Sequence, residues 1–371
     1  MQVTLIPSVG GGIGHISRTA TLARAMLRLD PNLEISFLLD SERLRSFNIG
    51  AAERTGFPVR VLPPRGRESR DDIVRHFLGG ADLIVDDTMR TLIPYRHLVP
   101  RAAWVSIPLY PVGDELFLDW PHLAQTDGIV WAYAPFMEQP AELSIPAIAA
   151  KLRATGPFLD VEEVPSKAKA RRELGLNDQE EIVVYAPRGM PFGREFGETV
   201  LGGTYGALEN LRAQGRKVRL LLLAVSDPKE LRCPAFPSDV PDWVSVVGLV
   251  SPAESLRYTR AADIVVAEGT STAHEAAALG TPIVMVPGVI RETWLLGTML
   301  LKHKAARVLW VENVTPELMA QEFDHILSED ETRYAMLDRA RAIVTGGGGA
   351  PEAARFVLDA ARRFHASSSN R

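Results

Sequence analysis

Cysteine is nearly absent from this chain. Cys233 is the only one in 371 residues, which excludes an intrachain disulfide and any cysteine-rich zinc site. Long apolar runs are missing as well. No stretch approaches the roughly 18 residues that cross a bilayer, and MQVTLIPSVG lacks the basic start and apolar core of a secretory leader. The sequence therefore predicts a cytoplasmic chain. Neither sign of charge dominates: 41 Lys and Arg against 46 Asp and Glu leave a formal net charge of −5, which argues against a general nucleic-acid binder. No P-loop pattern G-x-x-x-x-G-K-[ST] occurs, and no dense cluster of carboxylates or histidines marks a metal site. No cofactor is expected.

What is present is an alternation. Apolar runs VTLIP, EISFLLD (34–40), VRVLP (59–63), ADLIVDD (81–87), RAAWVSIP (101–108) and DGIVWAY (127–133) are separated by helical patterns, the signature of a parallel doubly wound sheet. Residues 154–165, with Gly156, Pro157, an acidic cluster and Pro165, interrupt the pattern. It then restarts with EIVVYAP (181–187), VRLLLLAV (218–225), WVSVVGLV (243–250), ADIVVAEG (262–269), TPIVMVPG (281–288) and ARVLW (306–310). This predicts α/β domains over 1–153 and 166–349 joined by a linker, then a final helix from 350 and a disordered tail HASSSNR. Ser251-Pro252-Ala253-Glu254 reads as a capping box and Thr315-Pro316 as a capped helix start.

The first glycine-rich turn, SVGGGIGHISR, does not satisfy the dinucleotide fingerprint G-x-G-x-x-G. Counted from Gly10 the third position is His15, and counted from Gly12 it is Ser17. Gly11, Gly12 and Gly14 instead remove side chains where a ligand could approach, and they leave His15 at a helix start. Histidine titrates near neutrality and a helix N-terminus favours the neutral imidazole, as a general base requires. Asp86 and Asp87 end the strand ADLIV at the carboxyl edge of the same sheet, so either could orient His15 or act as base in its place.

The second turn lies in ADIVVAEGTSTAHEAAALGTPIVMVPG (262–288). A buried strand runs into Gly269, and Thr270, Ser271 and Thr272 open an alanine-rich helix that ends at Gly280. Unpaired N–H groups, three hydroxyls and the helix dipole make this an anion site suited to a diphosphate. Glu275 has a local alternative, because Thr272-Ala273-His274-Glu275 also matches a capping box. His274 could touch a phosphate or simply cover the helix. Arg188 and Gly189, in the loop APRGMPFGREFGE, supply a cation and flexibility on the same side.

GGGIGH at the first turn, the GTST–helix–ALGTP block and the stretch KAARVLWVENVTPELMAQEFDHILSEDETRYAMLDRARAIV together resemble the GT-B glycosyltransferases. Within these, they resemble the family containing the peptidoglycan N-acetylglucosaminyltransferase that makes lipid II. The resemblance implies two Rossmann-like domains facing across a cleft, the N-terminal one binding an acceptor and the C-terminal one a nucleotide diphosphate sugar, with the last helix returning to the N-terminal domain. It implies that the backbone of Thr270, Ser271 and Thr272 holds the donor diphosphate, that Glu275 meets the ribose hydroxyls, and that the backbone of Val250 meets the base. The sequence departs from the family where an acidic residue and amides hold the transferred sugar. Arg291-Glu292-Thr293-Trp294 stands there, leaving Glu292 for sugar hydroxyls and Trp294 for stacking on an apolar sugar face.

The expected chemistry is an inverting, metal-independent transfer from a UDP- or dTDP-linked sugar to a hydroxyl of a small molecule, a saccharide or a lipid-linked acceptor. A nucleotide-sugar 2-epimerase or hydrolase on the same scaffold, and a non-catalytic nucleotide-sugar-binding protein, are the alternatives. Five arginines in PVRVLPPRGRESRDDIVRH (58–76) read either as a solvated loop or as a contact with an anionic membrane surface.

Overall fold

A computed structural model describes residues 1–9, 13–42, 44, 46–64, 66, 69–87, 92–110, 120–137, 139–187, 194–223, 239–288, 290–345 and 348–368. The chain divides into two compact units, one made of Met1–Leu159 with Thr345–Arg371, the other of Asp160–Val344.

The first unit carries seven parallel strands: β1 (Gln2–Pro7), β2 (Glu34–Asp40), β3 (Val59–Leu62), β4 (Leu83–Asp87), β5 (Ala103–Ile107), β6 (Gly128–Trp131) and β7 (Leu152–Ala154). They stand in the order β3-β2-β1-β4-β5-β6-β7. Its helices are α1 (Gly14–Leu29), α2 (Ser46–Glu53), α3 (Arg70–Leu78), α4 (Trp120–Leu123) and α5 (Pro146–Ala149). β4 and β5 are buried along their whole length, as strands with both faces covered must be. On one face Ile6, Leu38, Ile84 and Trp104 pack with Ile73, Val74 and Leu78 of α3.

The second unit carries six parallel strands: β8 (Glu181–Tyr185), β9 (Val218–Leu223), β10 (Val244–Gly248), β11 (Ile264–Ala267), β12 (Ile283–Met285) and β13 (Arg307–Val308), in the order β10-β9-β8-β11-β12-β13. Around them lie α6 (Lys167–Glu173), α7 (Arg194–Ala213), α8 (Pro252–Ala261), α9 (Thr270–Leu279), α10 (Arg291–Lys302), α11 (Pro316–Ser328) and α12 (Asp330–Val344). Two of the three glycines of LGGTYG in α7 are explained by α11 and the residues leading into it. A β-carbon on Gly203 would come within 2.6 Å of Val314, and one on Gly206 within 2.8 Å of Pro316. Only hydrogen fits there, so the two helices approach closely around Met319 and Phe323.

The last helix, α13 (Gly349–Ser368), packs on α1, β5 and β6 within the first unit, burying Ala350, Ala353, Ala354, Val357 and Leu358. It takes in the first four residues, 365–368, of the segment expected to be a disordered tail; the last three lie outside the described residues. The hydroxyls of Ser367 and Ser368 both donate to the Phe364 carbonyl, which satisfies an end that polar composition alone suggested would fray. The Ser251 capping box is present in both directions, and Thr315 accepts from the Leu318 N–H.

Two of the five arginines in the 58–76 stretch are turned inward. Arg60 donates to the Phe77 carbonyl, Thr4 Oγ1 and Ser36 Oγ, while Arg70 donates to the Pro63 carbonyl beside Asp40. Arg75 pairs with Asp72 at the surface, and Arg65 and Arg67 lie outside the described residues. Arg60 and Arg70 therefore hold the sheet edge together and are not available to a membrane.

Candidate active site

In a doubly wound sheet the ligand crevice opens at the carboxyl edge where strand order reverses, because the helices following the two central strands leave in opposite directions. In the first unit that point lies between β1 and β4. In the second it lies between β8 and β11. Gly14, His15, Asp86 and Asp87 lie at the first point, and Gly269, Thr270, Ser271, Thr272, His274 and Glu275 at the second, whereas Val250 follows β10 and Glu292 follows β12.

At the first, β1 ends at Pro7, in register with Asp87 at the end of β4, and the Ser8 N–H donates to the Asp87 carbonyl. Gly14 opens α1, whose N-cap Ile13 makes no side-chain cap, and His15 follows in the first turn. Its Nδ1 lies 3.2 Å and 3.3 Å from the two Asp87 oxygens. Arg18, one turn further along α1, joins the same carboxylate through Nε at 3.1 Å and through a close Nη2 contact, and its Nη2 lies 3.1 Å from His15 Nδ1. Asp87 is 0% exposed. Burial by itself would raise its carboxyl, but the neighbouring Arg18 and His15 more than offset this and hold it below the ordinary range. Of the two aspartates left open by the sequence, Asp87 meets His15. Asp86, also buried, has its side chain on the other face of the strand, since neighbouring residues alternate. Gly11 and Gly12 lie outside the described residues. Arg18 is missed by a sequence reading centred on the glycines, although its i+3 spacing from His15 on a helix is a visible signal.

At the second point, Gly269 is the N-cap of α9 and Thr270 its first helical residue; no side chain caps this end. Gly269 has φ −118°, open to any residue, and a β-carbon on it would meet nothing within 4 Å. Neither backbone conformation nor packing requires glycine, so no described residue fills the space next to Gly269. The capping-box alternative for Thr272 and Glu275 is overturned: with Gly269 as cap, Thr272 is the third helical residue and Glu275 lies in the second turn. Glu275 is half-buried, and burial of its carboxyl pushes it up to about 7. His274 is 8% exposed, burial pushes it down to about 4, and its Nε2 has no hydrogen-bond partner among the described residues.

Thr270 donates its hydroxyl to Glu292 Oε1 at 2.7 Å. That commits one of the three hydroxyls expected to face an anion, leaving Thr270 its backbone N–H, while Ser271 is exposed and Thr272 half-buried. Glu292 is buried in the first turn of α10, so the starts of two helices are tied together. Trp294 does not share this place. Two residues along a helix turn about 200°, and Trp294 is 50% exposed, beside Trp310 at a ring separation of 6.1 Å. It points away from Glu292, which removes its expected stacking on a sugar held there. Beneath the site, the buried Tyr185 at the end of β8 donates its hydroxyl to Glu268 Oε1, and Glu268 is 2% exposed. This pair is also missed by the sequence reading, because both residues sit in apolar strand patterns. Val250 lies half-buried just before the Ser251 cap. Arg188 and Gly189 lie outside the described residues. Among the described residues, no group of three or more His, Cys, Asp or Glu is placed to hold a metal ion.

Two parallel α/β units, each with candidate residues at its switch point, form the GT-B architecture. The spinosyn forosaminyltransferase SpnP shares the fold at a TM-score of 0.64 with 13% identity, over 98% of this chain and 99% of that one. A Listeria monocytogenes protein named for UDP-N-acetylglucosamine 2-epimerase activity does so at 0.64 with 12% identity, over 98% and 97%. The chain resembles the lipid II-forming transferases in particular. The UDP-N-acetylglucosamine--N-acetylmuramyl-(pentapeptide) pyrophosphoryl-undecaprenol N-acetylglucosamine transferase of Mycobacterium avium (strain 104) is 26% identical over 401 aligned positions, spanning 97% of this chain and 88% of that protein. No family model matches, and no helix among the described residues is long and apolar enough to cross a membrane.

Proposed function

We propose that this enzyme moves a sugar from a UDP- or dTDP-linked donor to a hydroxyl acceptor, with inversion and without a metal ion. The second unit takes the donor. The start of α9 offers unpaired N–H groups of Thr270, Ser271 and Thr272 to the diphosphate, in the open space left at Gly269. Glu275 accepts from the ribose hydroxyls. Glu292, held through one oxygen by Thr270, has its other oxygen for a hydroxyl of the transferred sugar, and the backbone of Val250 meets the base.

The first unit takes the acceptor. His15 donates Nδ1–H to Asp87, as in a serine-protease triad where a buried carboxylate fixes the working tautomer. His15 Nε2 takes the acceptor hydroxyl proton, the oxygen bonds to the anomeric carbon from the face opposite the leaving group, and the glycosidic bond to the diphosphate breaks. Its electron pair leaves on the phosphate oxygen, where the α9 dipole and N–H groups stabilise it. The observation carrying this reading is the contact of His15 with a fully buried Asp87 at the switch point of the sheet. Glycan or small-molecule acceptors and lipid-linked acceptors, the last used by the Mycobacterium relative, fit the same chemistry.

The test is His15→Ala, with transfer measured against acceptor panels and donor binding measured separately by calorimetry. Lost transfer with intact donor binding is expected; unchanged transfer refutes the role of His15. Incubation of the native protein with UDP- and dTDP-sugars alone separates transfer from 2-epimerisation or hydrolysis, which would consume donor with no acceptor present.

A further inference from the structure

We propose that Arg18 is a positioning residue whose guanidinium, forked onto Asp87, selects the His15 tautomer with a bare Nε2. Resting on the reading of His15 as the base, this gives Arg18 the part of making it one. Three side chains meet around a single carboxylate. Arg18 reaches Asp87 Oδ2 through Nε at 3.1 Å and Oδ1 through the close Nη2 contact, and His15 Nδ1 lies 3.2 Å and 3.3 Å from the same two oxygens. The side chains of Arg18 and His15 are 16% and 21% exposed, that of Asp87 0%. Only the two outer groups therefore meet solvent.

Two neighbours compete for Nδ1. It can donate to Asp87, or it can accept from Arg18 Nη2, 3.1 Å away, because a guanidinium carries donors only. The first arrangement leaves the lone pair on Nε2. The second puts the hydrogen there and turns the ring into a donor. Burial decides between them, since a carboxylate closed to solvent needs its lone pairs met by protein. An ionised carboxylate offers about four such sites, and Arg18 Nε–H, Arg18 Nη2–H and His15 Nδ1–H can all be accepted at once. The second arrangement gives up one of those bonds.

This choice holds only while Asp87 is ionised. Burial alone would favour its neutral acid, and Arg18 is the strongest group opposing that. Without Arg18, either a neutral Asp87 donates its O–H to Nδ1, or the carboxylate holds a solvent-derived proton on the imidazole. Both outcomes put hydrogen on Nε2, and neither leaves a base.

Nitrogen NMR of full-length protein with isotope-labelled histidine reads the tautomer directly, and His15→Gln assigns the signal. At about pH 8, where an ordinary imidazole is neutral, the native chain should show His15 bare at Nε2. In Arg18→Met the hydrogen should move to Nε2, and kcat should fall by about 10²-fold or more, as for a lost general base, with the donor KM unchanged. Arg18→Lys keeps the charge and should restore the bare Nε2. Asp87→Asn/Arg18→Met leaves no lone buried charge and guards against a single variant that does not fold. Because Arg18 acts through Asp87, Arg18→Met should cost no further kcat on top of Asp87→Asn. A native His15 with hydrogen on Nε2, a bare Nε2 in Arg18→Met, or an equal cost of Arg18→Met with and without Asp87 overturns the proposal. A tautomer that moves while transfer does not supports selection by Arg18 and refutes the base role of His15 instead.

Discussion

The two strand-to-helix junctions at the switch points have the same topology and opposite chemistry. Where β1 gives way to α1, the first turn carries ionisable groups in contact: His15, Arg18 and the fully buried Asp87. Where β11 gives way to α9, the first turn carries a bare glycine cap and hydroxyls, and the buried His274 and half-buried Glu275 below it are shifted toward their neutral forms. On the function proposed above, one junction moves a proton and the other receives a departing anion. A shared backbone plan thus fixes where a site lies, and the side chains of a single helical turn decide which half of the chemistry it serves.

Substitutions can break that contrast one side at a time. The largest effect belongs to His15→Ala: turnover falls by about 10²–10⁴-fold, the range for a lost general base, with donor affinity unchanged in calorimetry. Asp87→Asn comes next, because it leaves Arg18 facing a neutral amide in a buried place. A loss of about 3 kcal/mol in denaturant-measured stability is expected, together with a turnover defect. On the donor side, Glu275→Gln should weaken nucleotide-sugar binding by about tenfold, through lost charge-assisted hydrogen bonds, while leaving the bound complex reactive.

The same variant has a pH signature. The Glu275 carboxyl rises from an ordinary 4.5 to about 7 in the folded chain, so the folded state holds the proton more tightly. Its contribution to stability therefore falls as pH rises through that window. Glu275→Gln should melt higher than the native protein at pH 8 and close to it at pH 4.5. The smallest effect is Gly269→Ala. Its methyl meets no atom of the described residues within 4 Å, so stability should drop by no more than about 1 kcal/mol, the cost of a poorer cap. Donor affinity should nonetheless fall, because the methyl enters the space assigned to the phosphates.

The strands were legible because buried parallel strands are written as unbroken apolar runs, and the starts of α8 and α11 because Ser251 and Thr315 are caps whose partners sit three residues on. The start of α9 was legible as a turn and ambiguous as a cap. Gly269 has no side chain to announce itself, so the capping-box template fitted Thr272 and Glu275 a few residues too late. The choice between Asp86 and Asp87 rests on the pleat and on the register of Pro7 against Asp87, a pairing of strands far apart in sequence. The inward turn of Arg60 was hidden for the same reason, since its acceptors Thr4 and Ser36 lie on β1 and β2. Trp294 was misplaced by proximity in sequence to Glu292, whereas helical rotation puts the two on opposite sides.

The chain begins and ends in the same unit. Because α13 belongs with β1–β7, the stretch Asp160–Val344 is an insertion into a domain whose last piece is made after it. The Gly349 N–H donates to the Thr155 carbonyl at 2.6 Å, so the outgoing and returning segments meet at the point of insertion. To the first unit the second is one long loop, and its closure entropy grows only slowly with length. During synthesis the first sheet must therefore wait, with the surface meant for α13 uncovered, until the whole inserted domain has left the ribosome. The same adjacency means a short linker from Leu159 to Thr345 should yield a first domain that closes without its insert.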